Sequence, residues 1–170
     1  GGAGNVSALR PASRCNLQGI EKTAGEKDVS TLVVDASVVL KWFLRDEKSG
    51  DRALDLLDRF VRGELDLTAP SLMVYEVVNG LVIAQRRGRI AEEKVLSAIS
   101  GFLDLGITLV DVTGLVERVL HFCRDFNCSA YDASYLAVAE RSSLSFVTGD
   151  ARLYNSAKGK VEWVKWIGDT

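Results

Sequence analysis

The sequence predicts an α/β fold with a mostly parallel central sheet. Short apolar runs, such as TLVV at 31–34 and LSFVT at 144–148, are typical of strands that are buried on both faces. Segments with the apolar spacing of helices alternate with these runs, and such alternation favours parallel pairing of the strands. The chain has 170 residues, which is enough for one domain of this kind and a short tail.

The individual elements follow from the same patterns. The predicted strands are 31–34, 65–69, 107–110, 144–148 and 161–165. The predicted helices are 36–45, 50–62, 71–88, 91–104, 114–126, 129–142 and 151–156. Asp35 or Ser37 can cap the first helix, and the second, 50–62, carries an apolar stripe on one face. Pro70 is expected to stop the second strand, and Gly88 is expected to end the third helix.

Composition excludes several classes of protein. The net charge is −2, so the chain lacks the strongly basic character of a simple nucleic-acid-binding domain. This net charge does not exclude binding of nucleic acid, because a carboxylate site for divalent metal makes the composition of a protein more acidic. The single His121 excludes a zinc site built from three histidines. Three cysteines, with Cys123 and Cys128 too far apart for a C-x-x-C pair, indicate a reducing, cytoplasmic location.

The first 30 residues differ from the rest of the chain. They are rich in Gly, Ser and Ala, contain no aromatic residue and show no sustained periodicity. We expect a flexible tail or an expression remnant over 1–30 and the folded domain over 31–170. No apolar run reaches the roughly 18 residues of a membrane-spanning helix, and no secretory signal is expected.

Four acidic residues lie in apolar surroundings, where a carboxylate is costly unless it is paired or bound to metal. They are Asp35 in VVDAS, Glu76 in MVYEVV, Asp132 in SAYDAS and Asp150 in VTGDA. Asp35 and Asp150 follow predicted strands, and ligands of parallel sheets bind beyond the carboxyl ends of the strands. Mg²⁺ and Mn²⁺ prefer oxygen ligands and can activate water for hydrolysis of a phosphodiester, without any histidine.

Each acid also has a purely structural interpretation. Asp35 and Asp150 can cap the helices that follow them, and Asp132 can complete a capping box with Ser129. Glu76 can pair with a nearby arginine or face solvent. A single acid is therefore weak support for a metal site, and the hypothesis depends on all four together.

Four separate segments carry a resemblance to a known family. They are VVDASVVLKWF (33–43), APSLMVYEVVNGL (69–81), SAYDASYLAVAE (129–140) and FVTGDARL (146–153). In their order and spacing they resemble the PIN-domain ribonucleases, and most of all the VapC-type toxins of toxin–antitoxin pairs, over residues 31–166. The resemblance implies a PIN-like, Rossmann-like sandwich of three layers. It also implies that the four acids bind Mg²⁺ or Mn²⁺, with none missing.

The resemblance extends to three polar residues and to the partners. Ser37, Asn79 and Thr148 match the family pattern and are expected in secondary roles, orienting carboxylates, water or phosphate. Each also has a structural interpretation: Ser37 as a helix cap, Asn79 as a residue of the helix surface and Thr148 as a turn residue. An RNA substrate, a homodimer and a small antitoxin that blocks the acidic site are implied. A housekeeping RNA-processing nuclease and a catalytically silent binding module of the same fold stay open as alternatives.

Several further residues are weighed against simpler roles. Four aromatic residues can in principle stack on bases, but packing in the core or at a dimer interface is the preferred interpretation; they are Trp42, Phe43, Tyr131 and Tyr135. Lys41 and Arg45 on the first helix are expected either at the mouth of the site or in solvent. His121 lies far from all four motifs and is expected to be structural or on the surface.

Overall fold

A parallel sheet forms the centre of the protein, which a computed structural model describes over residues 29–44 and 48–170. Within these residues the sheet has five strands in the order β3-β2-β1-β4-β5, and every pairing is parallel. The strands are β1 (Ser30–Val34), β2 (Leu65–Pro70), β3 (Thr108–Val110), β4 (Ser145–Thr148) and β5 (Val164–Trp166). The expected tail falls almost wholly on residues 1–28, which lie outside the described part of the chain, as does Arg45.

The register brings the carboxyl ends of the two central strands together. Val33 of β1 is paired with Thr68 of β2 on one side and with Phe146 of β4 on the other, and Val34 is paired with Val147. The chain moves outward from β1 through β2 to β3 and then returns to β4 on the opposite side. The strand order therefore reverses between β1 and β4, which is where open parallel sheets bind their ligands.

Helices cover the sheet in two groups. They are α1 (Ala36–Phe43), α2 (Gly50–Val61), α3 (Met73–Arg86), α4 (Glu92–Asp104), α5 (Val116–Phe126), α6 (Ala130–Ser142) and α7 (Ala151–Ala157). Contacts join α1 to α2 and α3, and α3 to α4, whereas α5 contacts α6 and α7. Both groups contact the sheet, α1 and α2 from the first and α6 and α7 from the second. The predicted helix–sheet–helix sandwich is confirmed.

The core is densest around the two central strands. Val33, Val34, Phe146 and Val147 have no exposed surface, as their continuous apolar runs predicted. The indole nitrogen of Trp42 donates a hydrogen bond to the carbonyl oxygen of Ala53 at 2.8 Å, and this bond ties α1 to α2. Trp42 therefore packs in the core, as the sequence favoured.

Several element boundaries differ from the predictions by one to three residues, and three of the differences are instructive. The helix predicted at 114–126 begins as a 3-10 turn at Thr113–Leu115, because the Asp111 carboxylate accepts hydrogen bonds from the amide and hydroxyl of Thr113. The second strand includes Pro70, which is tolerated at its last position. The last strand begins three residues later than predicted, because the amides of residues 160 and 161 donate to the carbonyl of Ala157.

Candidate active site

The carboxylate of Asp35 lies at the carboxyl end of β1 and is 7% exposed. Its Oδ2 atom accepts hydrogen bonds from the hydroxyls of Ser37, at 2.7 Å, and Thr148, at 2.5 Å. Asp35 occupies the N-cap position of α1, but its side chain makes no capping hydrogen bond. Burial raises the pKa of this carboxyl group above its ordinary value, although the two hydroxyl bonds oppose the shift. Helix capping alone thus does not explain Asp35.

The hydroxyls of Ser37 and Thr148 connect Asp35 to the end of β4. Ser37 Oγ accepts a hydrogen bond from the backbone amide of Gly149 at 2.9 Å, and Thr148 Oγ1 accepts one from the amide of Asp150 at 3.0 Å. Each hydroxyl therefore donates to the Asp35 carboxylate while accepting from the turn after β4. Because Thr148 is fully buried, this arrangement is held within the protein and not by solvent.

Glu76 reaches the same region from α3 and contacts α6. The phenol of Tyr135 donates a hydrogen bond to Glu76 Oε2 at 2.6 Å, and its ring stacks on Phe146 with centroids 5.7 Å apart. Burial raises the pKa of Glu76 to about 7, and the negative charges of Asp35 and Asp132 add to this shift. Tyr135 packs in the core, as predicted, but the sequence analysis missed that it also orients Glu76.

Asp132 and Asp150 each combine a helix cap with a place in the pocket. Asp132 forms the predicted capping box at the start of α6: its amide donates to Ser129 Oγ, and its carboxylate accepts from the Ser129 amide. Asp150 caps α7, and its Oδ1 accepts hydrogen bonds from the amides of Arg152 and Leu153. The capping interpretations are confirmed, and they leave one oxygen of Asp150, Oδ2, outside the cap bonds.

Arg152 joins these two acids through its side chain. One guanidinium nitrogen, Nη2, lies 2.9 Å from Oδ2 of Asp132 and 3.9 Å from Oδ2 of Asp150. These acids raise the pKa of Arg152 above its ordinary value, chiefly through the hydrogen bond to Asp132. The sequence analysis did not single out Arg152, although its place two residues after Asp150 is visible in the FVTGDARL segment.

The four predicted acids meet in one pocket of about 280 Å³. Its polar lining consists of Asp35, Ser37, Glu76, Asn79, Asp132 and Asp150. The structure thus brings together every predicted site residue except Thr148, which lies directly behind the pocket and is bonded to Asp35. Asn79 is exposed and lies one helical turn after Glu76 on α3.

The pocket fits a hard divalent cation by its chemistry. All its candidate ligands are oxygen atoms, the type that Mg²⁺ and Mn²⁺ prefer. The charge of Asp132 raises the pKa of both Asp35 and Glu76, and the charge of Asp35 raises the pKa of Glu76, so a cation in the pocket would relieve this repulsion. Within residues 29–44 and 48–170, no three acidic, His or Cys side chains already converge as a closed metal site.

Two exposed tyrosines flank the acidic pocket. Tyr75 is 79% exposed and Tyr131 is 62% exposed, and both line a second pocket of about 460 Å³. That pocket includes Glu76 and Asn79, so the two pockets adjoin. Tyr131 is therefore not a core residue, so the interpretation that it packs in the core is wrong. A larger pocket of about 850 Å³ lies along β5 and contains none of the four acids.

Two other predictions concern residues near and far from the site. Lys41 is 6% exposed, so a position in solvent is wrong. It lines a pocket with Ser37 and Gly149, next to the acids. His121 is exposed on α5, as expected. No helix in the described part of the chain is long and apolar enough to cross a membrane.

Comparison with known proteins places these features in context. The family model described as PIN domain matches residues 32–159. VapC ribonuclease Mb0985 from Mycobacterium bovis is 33% identical over 129 residues, which are 76% of this chain and 93% of that protein.

Two solved structures share the fold. The crystal structure of PAE2754 from Pyrobaculum aerophilum is similar with a TM-score of 0.60 and 25% identity, covering 83% of this chain and 92% of that one. A toxin-antitoxin complex from Klebsiella pneumoniae is similar with a TM-score of 0.52 and 16% identity, covering 79% of this chain and 95% of that one. At that identity, the second likeness concerns the fold alone.

Proposed function

The chain belongs to the PIN-domain family, and on this basis we propose that it is an endoribonuclease of the VapC type, which hydrolyses phosphodiester bonds in RNA. The observation that carries this proposal is the meeting of four carboxylates in one pocket at the β1–β4 junction. Those carboxylates come from four separate parts of the chain, and a merely structural role for each of them gives no reason for them to converge. The name of the Mycobacterium relative supports ribonuclease activity.

Asp35, Glu76, Asp132 and Asp150 would hold Mg²⁺ or Mn²⁺. The metal, when bound, supplies an activated water and a positive charge that stabilises the leaving oxygen of the phosphodiester. Ser37 and Thr148 hold the Asp35 carboxylate in one orientation, since both of their hydroxyls donate to the same oxygen.

Tyr135 and Asn79 have supporting roles in the same proposal. The Tyr135 phenol orients Glu76 through its hydrogen bond. Asn79 is placed at the exposed side of the pocket, where its amide can orient water or a phosphate. Neither residue carries a charge, so neither adds to the repulsion among the four carboxylates.

The proposal extends to substrate and partners. The exposed rings of Tyr75 and Tyr131 beside Glu76 favour RNA with unpaired bases, because unpaired bases stack on aromatic side chains. A small antitoxin protein that covers the acidic pocket and a homodimer complete the proposal, with residues 31–170 as the PIN domain and residues 1–30 outside it. A cytoplasmic location goes with a substrate of cellular RNA.

The test is cleavage of a labelled pool of single-stranded and structured RNAs with Mn²⁺ or Mg²⁺. We expect cleavage that is lost in EDTA and in Asp150→Asn protein. Asparagine is as good an N-cap as aspartate, so this variant keeps the start of α7 while it removes a charge from the pocket.

Asp111→Asn is the matched control, because Asp111 also caps a turn but lies outside the pocket. It should cleave RNA like the parent. Cleavage that persists in EDTA and in Asp150→Asn protein would contradict the proposal.

A further inference from the structure

The Arg152 side chain is an exposed cation that contacts two carboxylates of the candidate metal site. Its guanidinium lies 2.9 Å from Asp132 and 3.9 Å from Asp150, and 64% of the side chain is exposed. The side chain of Asp132 is 18% exposed and that of Asp150 is 35% exposed. The guanidinium therefore lies on the solvent side of these two acids, which line the pocket.

This contact is not needed to hold the fold. Asp132 is already fixed by its capping box with Ser129, and Asp150 by the amides of α7. Ion pairs with an exposed partner contribute little to stability, because water screens them and the side chains lose freedom. The Arg152 contact can therefore open at small cost, while the two carboxylates remain in place.

The carboxylates of Asp132 and Asp150 cannot fully neutralise both the Arg152 guanidinium and a divalent cation at the same time. Asp132 Oδ2 accepts a hydrogen bond from the Arg152 guanidinium. The same oxygen accepts a hydrogen bond from the Ser129 amide in the capping box. A metal ion bound to Asp132 and Asp150 places positive charge where the guanidinium now lies, so the two cations repel each other. The Arg152 guanidinium, which is largely exposed, is then available to another anion.

We propose that Arg152 alternates between two partners: the carboxylates of Asp132 and Asp150 in the metal-free protein, and a phosphate group of the RNA once metal is bound. This inference rests on the proposed function, since it assumes an RNA substrate at the same pocket. A guanidinium suits the second role because its planar fork of donors matches the oxygens of a phosphate. Arg152 is thus a positioning residue for the RNA backbone and a competitor of the metal.

The first experiment measures Mn²⁺ affinity by calorimetry in the absence of RNA. Arg152→Gln removes the competing cation, so Mn²⁺ should bind about two- to fivefold more tightly, the range expected for loss of a weak exposed ion pair. Arg152→Lys should remain close to the parent. Arg62→Gln is the matched control, because Arg62 pairs with Asp58 and Glu64 on the surface outside the pocket.

The second experiment measures binding of a short single-stranded RNA at several salt concentrations. The RNA carries phosphorothioate linkages, which resist hydrolysis and keep the backbone charge, so all four acids of the pocket are left unchanged. With Mn²⁺, Arg152→Gln should weaken binding and reduce the slope of log affinity against log salt by about one, as for the loss of one phosphate contact. Without Mn²⁺, the slope should not change, because Arg152 is then held by the acids.

The outcomes separate this inference from the proposed function. Unchanged or weaker Mn²⁺ binding in Arg152→Gln protein overturns the competition, and an equal loss of salt slope with and without Mn²⁺ overturns the alternation. Failure of the parent and all variants to bind either Mn²⁺ or RNA contradicts the proposed function itself. Tighter Mn²⁺ binding together with a metal-dependent change in slope supports the inference in full.

Discussion

Thr148 donates a hydrogen bond to the carboxylate of Asp35 at 2.5 Å, although the two residues are 113 positions apart in the chain. The same Thr148 oxygen accepts the backbone amide of Asp150 at 3.0 Å. One buried hydroxyl thus connects the first and the last of the four acids. Its loss should affect the positions of both.

Thr148→Val keeps the shape of the side chain but removes this hydroxyl. The Asp35 carboxyl loses a buried partner, so the free energy of unfolding should fall by about 1–3 kcal/mol. Mn²⁺ affinity should fall as well, because the orientation of Asp35 is no longer fixed. Denaturant unfolding and calorimetry measure the two effects. Thr148→Ser retains the hydroxyl and should keep the metal affinity; equal affinity in the Val variant would show that the bond does not position Asp35.

The acidity of Glu76 predicts how stability of the metal-free protein depends on pH. The pKa of Glu76 is 4.5 in its ordinary state and about 7 in the folded protein. Between these values the folded state binds more protons than the unfolded state, so stability should decline as pH rises through this window. Thermal melting in EDTA measures the decline.

The matched variants are Glu76→Gln and Glu93→Gln. Glu76→Gln should flatten the decline, because its side chain does not titrate, whereas Glu93→Gln changes an exposed residue at the start of α4 and should leave it intact. The buried carboxyl of Asp35 has its pKa shifted in the same direction, so part of the decline should persist in Glu76→Gln. Equal slopes in both variants would exclude Glu76 as a source.

Tyr135→Phe tests whether the phenol tunes Glu76. The hydrogen bond from Tyr135 lowers the pKa of Glu76, so its removal should raise that pKa further. Mn²⁺ binding, which needs the carboxylate form, should then require a higher pH. The ring contact with Phe146 is kept, so the loss of unfolding free energy should be confined to that of one buried hydrogen bond, about 1–3 kcal/mol. Mn²⁺ affinity measured across neutral pH gives the midpoint, and an unmoved midpoint would limit Tyr135 to packing.

Gly149 lies where a side chain would disturb the hydroxyl bonds. A Cβ atom at this position would be 2.7 Å from Cε of Lys41 and 3.2 Å from Oγ of Ser37. Gly149→Ala should therefore displace the Lys41 side chain and shift Ser37 slightly relative to Asp35, with a loss of about 1–3 kcal/mol in unfolding free energy and weaker RNA cleavage.

Gly101→Ala provides the comparison for that variant. Gly101 lies in α4 with no heavy atom within 4 Å of an added Cβ, so alanine should stabilise the helix by roughly 0.5–1 kcal/mol. RNA cleavage should be unchanged in this control. Wild-type cleavage in Gly149→Ala protein would mean that the turn after β4 tolerates the added methyl group.

The convergence of the four acids was predictable because each of them stands at a recognisable place in the apolar pattern of the sequence. Asp35 and Asp150 come after apolar strands, and parallel strands present their carboxyl ends at one edge. Asp132 starts a helix behind a recognisable cap, and Glu76 stands out among apolar neighbours. Each of these signals is local, and the parallel sheet then brings the residues together.

The roles of Tyr135 and Arg152 depend on side-chain contacts that no local pattern encodes. Tyr135 reaches Glu76 across 59 positions, and a buried tyrosine in an apolar helix predicts only packing. Arg152 contacts Asp132 across 20 positions through a long, flexible side chain. The burial of Lys41 escaped prediction for the same reason, since it depends on how α1 packs beside the turn at Gly149.

The pairing of β1 with β4 has a consequence for synthesis of the protein. Asp35 and Glu76 precede Asp132 and Asp150 in the chain and are therefore synthesised before them. A nascent chain that stops before β4 has neither the partner of β1 nor Thr148 to hold Asp35. A nascent chain of that length also lacks Asp150, so one of the four carboxylates is missing from the pocket. The pocket is complete only after β4 has been synthesised and has paired with β1.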